Sequence, residues 1–138
     1  MIAAIPLTII PLILFNVLGY ALDGDPWGNV LVRIPLISGR PWEVTLADVM
    51  ILIALALLFI ETLRSAAPAR TSTITNHIIS TILLIVYIIE FIAVPSAASS
   101  LFFVLTMIAL FDVIAGFTIS IRSASRDISL GHQNDGVM

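Results

Sequence analysis

Asp112 stands near the middle of LTMIALFDVIAGF, residues 105–117, an apolar run long enough to lie inside a membrane. A lone charge at a bilayer centre costs at least about 2.5 kcal/mol, so such a carboxyl must face protein or water. Glu90 poses the same question in the preceding apolar run. Counting inward at 1.5 Å per residue puts Asp112 roughly 15 Å from Arg122, Glu90 roughly 20 Å from His77, and Asn16 roughly 20 Å from the start of the first apolar segment. These depths predict one mid-membrane polar layer of Asn16, Tyr87, Glu90 and Asp112. Desolvation and mutual repulsion both favour a protonated carboxyl. At least one of Glu90 and Asp112 is therefore expected to hold a proton and to donate to the other, to Asn16 or to Tyr87.

Two kinds of chemistry suit such a layer. As polar glue it fixes helix pairing; as a proton or cation site it binds a proton in alternation with another ligand. No basic residue accompanies the pair and no wide polar lining leads to it, which favours glue. A second polar group, Glu61, Arg64 and His77, gathers at the other end of these runs. Glu61 lies one turn before Arg64, the spacing of an interfacial ion pair or of an acid reaching for the membrane edge. The alternative joins Glu61, Glu90 and Asp112 into a descending carboxylate series with His77 as the titratable group at its mouth.

Catalysis finds little support. Two histidines and no cysteine do not make a structural zinc site, so no metal is expected. Ser, His and Asp occur without the spacing of a nucleophile system, and no phosphate-binding loop is present. Neither an enzyme nor a cofactor is expected.

The elements that must position these residues follow from composition. The chain has 138 residues, 59% hydrophobic and 11% charged, with a mean hydropathy of +1.13; soluble domains carry about 25% charged residues. The pattern predicts an all-α integral membrane protein, a four-transmembrane-helix bundle with a short β-hairpin-like loop between helices one and two. The helices are expected over 2–22, 47–65, 76–94 and 101–122, making a transmembrane domain of 1–122 with an outer loop of 23–46 and a polar, mobile cytoplasmic tail of 123–138. The first segment lacks a basic leader and exceeds the usual signal core of about 7 to 15 residues, so it reads as a retained helix. Pro6 and Pro11 predict a kink inside it.

In the outer loop, Val30, Val32, Ile34 and Leu36 alternate, Ser38-Gly39 supplies turn chemistry, and Trp42, Val44 and Leu46 alternate again. Pro35 and Pro41 weigh against strands unless they lie at strand ends. Thr45 and Asp48 have the spacing of a capping arrangement at the start of helix two. Helical spacing places Thr8, Leu12, Asn16 and Gly19 on one stripe, Asn76, Ser80, Leu83, Tyr87, Glu90 and Val94 on another, and Ala109, Asp112, Gly116 and Ser120 on a third. Small residues beside Asp112 let a neighbouring helix approach.

Arg64 and Arg70 fall between helices two and three, and Arg122 and Arg126 follow helix four. The positive-inside tendency makes that side cytoplasmic, with both termini there, in a bacterial inner membrane; Arg33 and Arg40 in the outer loop count against it. Trp27 and Trp42 suit an aromatic belt. Arg122 and Arg126, one turn apart, could hold anionic lipid headgroups. No basic cluster suits nucleic acid.

The outer loop carries more apolar surface than a solvated loop needs, marking Ile34, Leu36, Trp42 and Val44 as a partner-binding surface or a lid on the bundle. The plan is similar in outline to tetraspan proteins such as claudins, without their paired cysteines. It is also similar to small multidrug transporters, but their first-helix glutamate is absent, Asn16 being the polar group there. The expected function is a non-catalytic membrane subunit or scaffold that contacts lipids and assembles with itself or with other membrane-protein subunits. A small proton- or cation-coupled transporter or channel using Glu90 and Asp112 is the alternative.

Overall fold

Two prolines decide where the first helix begins. A computed structural model of the chain describes residues 5–22, 24–66 and 72–134, apart from the side chains of 72–74, 123, 124 and 126–134. In it α1 spans only Ile9–Ala21. Pro11 falls in its first turn, where an N–H has no intrahelical acceptor to lose. Ahead of it the Ile9 N–H donates to the Pro6 carbonyl at 3.2 Å and that of Ile10 to Leu7 at 3.0 Å, so a tight turn leads into the helix. The long kinked helix expected over 2–22 is thus replaced by a short one, with residues 2–4 outside the described residues. Its 13 residues reach roughly 20 Å, short of a hydrocarbon core of about 30 Å.

The other helices are α2 (Leu46–Ala66), α3 (Ser72–Ala93) and α4 (Ser100–Asn134). Among the described residues three stretches, Leu46–Ala66, Thr75–Ala93 and Ser100–Arg122, are long and apolar enough to cross a membrane. At the start of α2 the Thr45 N–H and hydroxyl both donate to Asp48 Oδ2 at 2.8 Å, while the Asp48 N–H returns to Thr45 Oγ1 at 3.3 Å. This reciprocal cap satisfies donors that the first helical turn leaves open. α3 ends at Ala93 because Val94 precedes Pro95 and is extended, at φ −104° and ψ 117°. The 3-10 turn Pro95–Ala97 follows, and Ser99 Oγ then accepts the Phe102 N–H at 3.2 Å to open α4.

α4 does not stop at residue 122. No proline occurs after Pro95, and the segment read as a mobile tail continues as helix to Asn134. Residues 135–138, and the 67–71 connection with Pro68 and Arg70, lie outside the described residues.

Strands β1 (Val30–Pro35) and β2 (Pro41–Thr45) form an antiparallel hairpin. Pro35 and Pro41 face each other at the loop end of the ladder, where a missing N–H is tolerated. In the loop the Gly39 N–H donates to the Leu36 carbonyl at 3.0 Å, and Gly39 takes φ 81°, a conformation open to glycine at little cost. Opposed residues share a face. Val32 with Val44 and Ile34 with Trp42 therefore make one apolar face, and Arg33 with Glu43 lies on the other, ion-paired at 2.9 Å.

α4 packs against both α2 and α3, and α1 lies across α2 and α4. Phe102 is fully buried at the centre, with ring centroids of Phe15, Tyr87 and Phe91 at 4.7, 5.6 and 6.4 Å. Trp27, read as a belt residue, is instead buried, its ring stacked 4.8 Å from Phe15. Isoleucine, leucine and phenylalanine side chains of α2, α3 and α4 cover the outside, including Phe59, Ile89 and Phe111. Apolar surface of that extent is the mark of a face meant for lipid or protein.

Candidate functional site

The short reach of α1 leaves its first turn inside the helix cluster, and the polar groups converge there. Thr8, 2% exposed, precedes the helix in the position where a hydroxyl usually caps a free N–H. It turns outward instead and donates to Asp112 Oδ2 at 3.1 Å. The Thr8 carbonyl accepts the Tyr87 hydroxyl at 2.8 Å. One residue earlier, the Leu7 N–H donates to Glu61 Oε2 at 3.3 Å. Three helices thus close on one turn of backbone: α2 through Glu61, α3 through Tyr87 and α4 through Asp112.

Among the described residues Glu61 is the most enclosed acid, 1% exposed. Its Oε1 accepts Asn76 Nδ2 at 2.6 Å, and its Oε2 also accepts from Arg64 at 3.2 Å. The expected ion pair is present, but Glu61 is a buried hub rather than an edge residue. Its Oε2 reaches the start of α1, where backbone N–H groups lack intrahelical acceptors. Asp112, 6% exposed, has Ser80, His77 and Glu61 in its surroundings beside Thr8.

Glu90 belongs elsewhere. Its Oε1 accepts Asn16 Nδ2 at 2.7 Å in an exposed setting, and Asn16 also donates to the Leu12 carbonyl at 3.1 Å. Glu90 lies less than one turn from the Ala93 end of α3, whereas Asp112 is more than three turns from the Ser100 start of α4. Because these ends meet at a short turn, the two acids are offset by roughly 13 Å along the helices. The expected contact between Glu90 and Asp112 is not made: Glu90 takes Asn16 as its partner and Asp112 takes Thr8. Depth counted from the His77 end alone does not register how close Glu90 lies to the Ala93 end of α3.

His77 is buried rather than placed at an open mouth, 6% exposed. Its ring packs so closely on Gly116 that any side chain there would collide with the imidazole, and Phe117 stacks on it with centroids 6.1 Å apart. Among the described residues, His77 Nε2, Asn76 Oδ1 and Ser120 Oγ are buried with no hydrogen-bond partner. No group of three or more His, Asp or Glu among the described residues could hold a metal ion.

The hairpin residues divide. Ile34, Leu36 and Trp42 are 38%, 47% and 48% exposed, but Val44 is buried against its own chain and is removed from the candidate partner surface. Arg122 is exposed, and the side chain of Arg126 lies outside the described residues. Thr8 was legible only as a member of a helical stripe; the signal available was a hydroxyl between two prolines, at the point where a helix could start.

Chemically, the cluster can anchor a short helix by hydrogen bonds to two carboxyls. No protein-family model, no curated protein and no solved structure matches the chain.

Proposed function

We propose that this chain is a small non-catalytic integral membrane subunit or scaffold. It is inserted through its three long apolar helices and assembles with itself or with a larger membrane complex through the β1–β2 hairpin. The observation that carries this reading is the hairpin's two-sidedness: Val32, Ile34 and Trp42 expose 49%, 38% and 48% of their surface on one face. A two-stranded sheet is marginal alone in water, and an exposed apolar face of this kind needs a cover. The polar cluster supports a structural role because its two buried carboxyls accept bonds from the start of α1. Transport through a Glu90–Asp112 pair has less support, since Glu90 is bonded to Asn16 and not to Asp112.

Arg64, Arg70, Arg122 and Arg126 support a cytoplasmic placement of the end opposite the hairpin, with both termini on that side of a bacterial inner membrane. Arg122 and Arg126 there meet lipid headgroups. The test is the assembly size of the purified chain in a mild detergent, with and without Trp42→Ala and Ile34→Ser. A buried interface aromatic contributes about 2 kcal/mol or more, so the variant should dissociate at roughly 30-fold higher concentration while still inserting. A chain that purifies as a monomer with no co-purifying protein, or an assembly indifferent to the two changes, refutes the reading.

A further inference from the structure

A groove of about 370 Å³ runs between α3 and α4, lined by His77, Ile78, Thr81, Ile82, Phe117 and Ser120. It lies near the Arg122 end of the span assigned to α4. Its exposed wall is apolar, and behind it lie two buried groups that, among the described residues, have no hydrogen-bond partner: His77 Nε2 and Ser120 Oγ. A buried polar atom left unpaired has lost its hydration with nothing in return. The Thr81 hydroxyl does not relieve either, because it donates to the His77 carbonyl at 2.8 Å.

The imidazole is held in place rather than loosely accommodated. Gly116 is the space its ring fills, and Phe117 lies over it at an interplanar angle of 27°. Both unpaired groups can donate: a serine hydroxyl always, and an imidazole nitrogen in the tautomer that carries its proton there. Two donors beneath an apolar wall call for a neutral acceptor that travels in the bilayer. Ile78 and Ile82, each 56% exposed, are the side chains on the open side of the groove that a ligand must displace to reach them.

We infer that this groove binds a membrane-soluble molecule through a carbonyl oxygen, which accepts hydrogen bonds from His77 Nε2 and Ser120 Oγ while its apolar body lies along Ile78, Ile82 and Phe117. A carbonyl of this kind is supplied either by the ester of a glycerolipid or by the ring of a quinone. The inference rests on the reading of α3 and α4 as membrane spans and is independent of the hairpin's partner.

The test uses the full chain with ¹⁵N-labelled histidine in dodecyl maltoside, a detergent without carbonyl groups. The chain has two histidines, so His132 serves as the internal control. Decylubiquinone and dioleoyl phosphatidylglycerol are titrated separately. A saturable shift of the His77 imidazole, with His132 unmoved, is expected for at least one of them, and the probe that produces it identifies the source. Ile82→Trp, which fills the groove from its exposed side, should abolish the shift, and Ser120→Ala should weaken binding about tenfold by removing one donor. No saturable shift with either probe, or a shift that survives Ile82→Trp, overturns the inference. Retention of the chain in carbonate-washed membranes checks the membrane reading separately.

Discussion

The Thr8 hydroxyl donates to Asp112 Oδ2 at 3.1 Å, joining the first turn of α1 to the middle of α4 across 104 residues of sequence. α1 is too short to cross a hydrocarbon core, so it cannot be held as an independent membrane span. Its position depends on the groups that meet its first turn. Glu61, Tyr87 and Asp112 do so from three different helices.

Removing the acceptor should therefore cost more than neutralising it. Asp112→Leu strands the Thr8 hydroxyl in a buried site and should destabilise the chain by about 1–3 kcal/mol. Asp112→Asn keeps an acceptor and should cost less than half as much. Reversible unfolding in mixed micelles, followed by circular dichroism, measures both; equal losses would mean that charge, not bonding, holds α1.

Glu61 meets more donors than Asp112 and should be less tolerant. Glu61→Leu leaves Leu7 N–H, Asn76 Nδ2 and Arg64 without this acceptor and should cost about 3 kcal/mol. Glu61→Gln should retain most of the stability. The same unfolding measurement decides, and a harmless Glu61→Leu would remove Glu61 from the clasp.

How much of this was legible beforehand depends on the kind of signal. Apolar runs placed α2, α3 and α4 well, because nothing else competes with a 20-residue hydrophobic stretch. The Thr45–Asp48 cap and the hairpin's alternation were equally readable, since both are local patterns. Hydropathy overextends α1 because it does not register that Pro6 and Pro11 restrict where helical hydrogen bonding can begin. The Glu90–Asp112 pairing failed for another reason. Depth counted from one helix end says nothing about which neighbour fills the facing site, and Thr8 and Glu61, not Glu90, occupy it. Trp27 likewise went inward because Phe15 offered a ring to stack on.

A structural polar layer carries no proton current. Sealed vesicles containing the chain and an internal pH dye should equilibrate an imposed pH gradient no faster than empty vesicles. A flux that appears with the unchanged chain and vanishes with Glu61→Gln and Asp112→Asn would turn the cluster into a transport path.

Topology can be tested without background labelling, because the chain has no cysteine. Ser38→Cys in the hairpin loop should react with an impermeant maleimide from outside intact cells, whereas Ser72→Cys at the start of α3 should react only after permeabilisation. The reverse pattern would invert the orientation drawn from the arginines.

The aromatic centre should behave as a single packing unit. Phe102 touches Phe15, Tyr87 and Phe91, and Phe102→Ala should cost about 3–5 kcal/mol. Phe102→Leu should recover most of that loss. The unfolding free energies of the two variants check it.

Assembly through the hairpin is most directly read in the membrane itself, before detergent is added. Ile37 at the hairpin tip is fully exposed, and Ile37→Cys provides one thiol in an otherwise cysteine-free chain. Treatment of native membranes with a short maleimide–diazirine cross-linker, whose photoactivated arm inserts into any neighbouring chain, should convert this variant into one discrete higher-mass species, either a dimer or an adduct of constant size, and Trp42→Ala should suppress it. A thiol that reacts fully with a monofunctional maleimide yet yields only monomer with the cross-linker would contradict assembly through the hairpin.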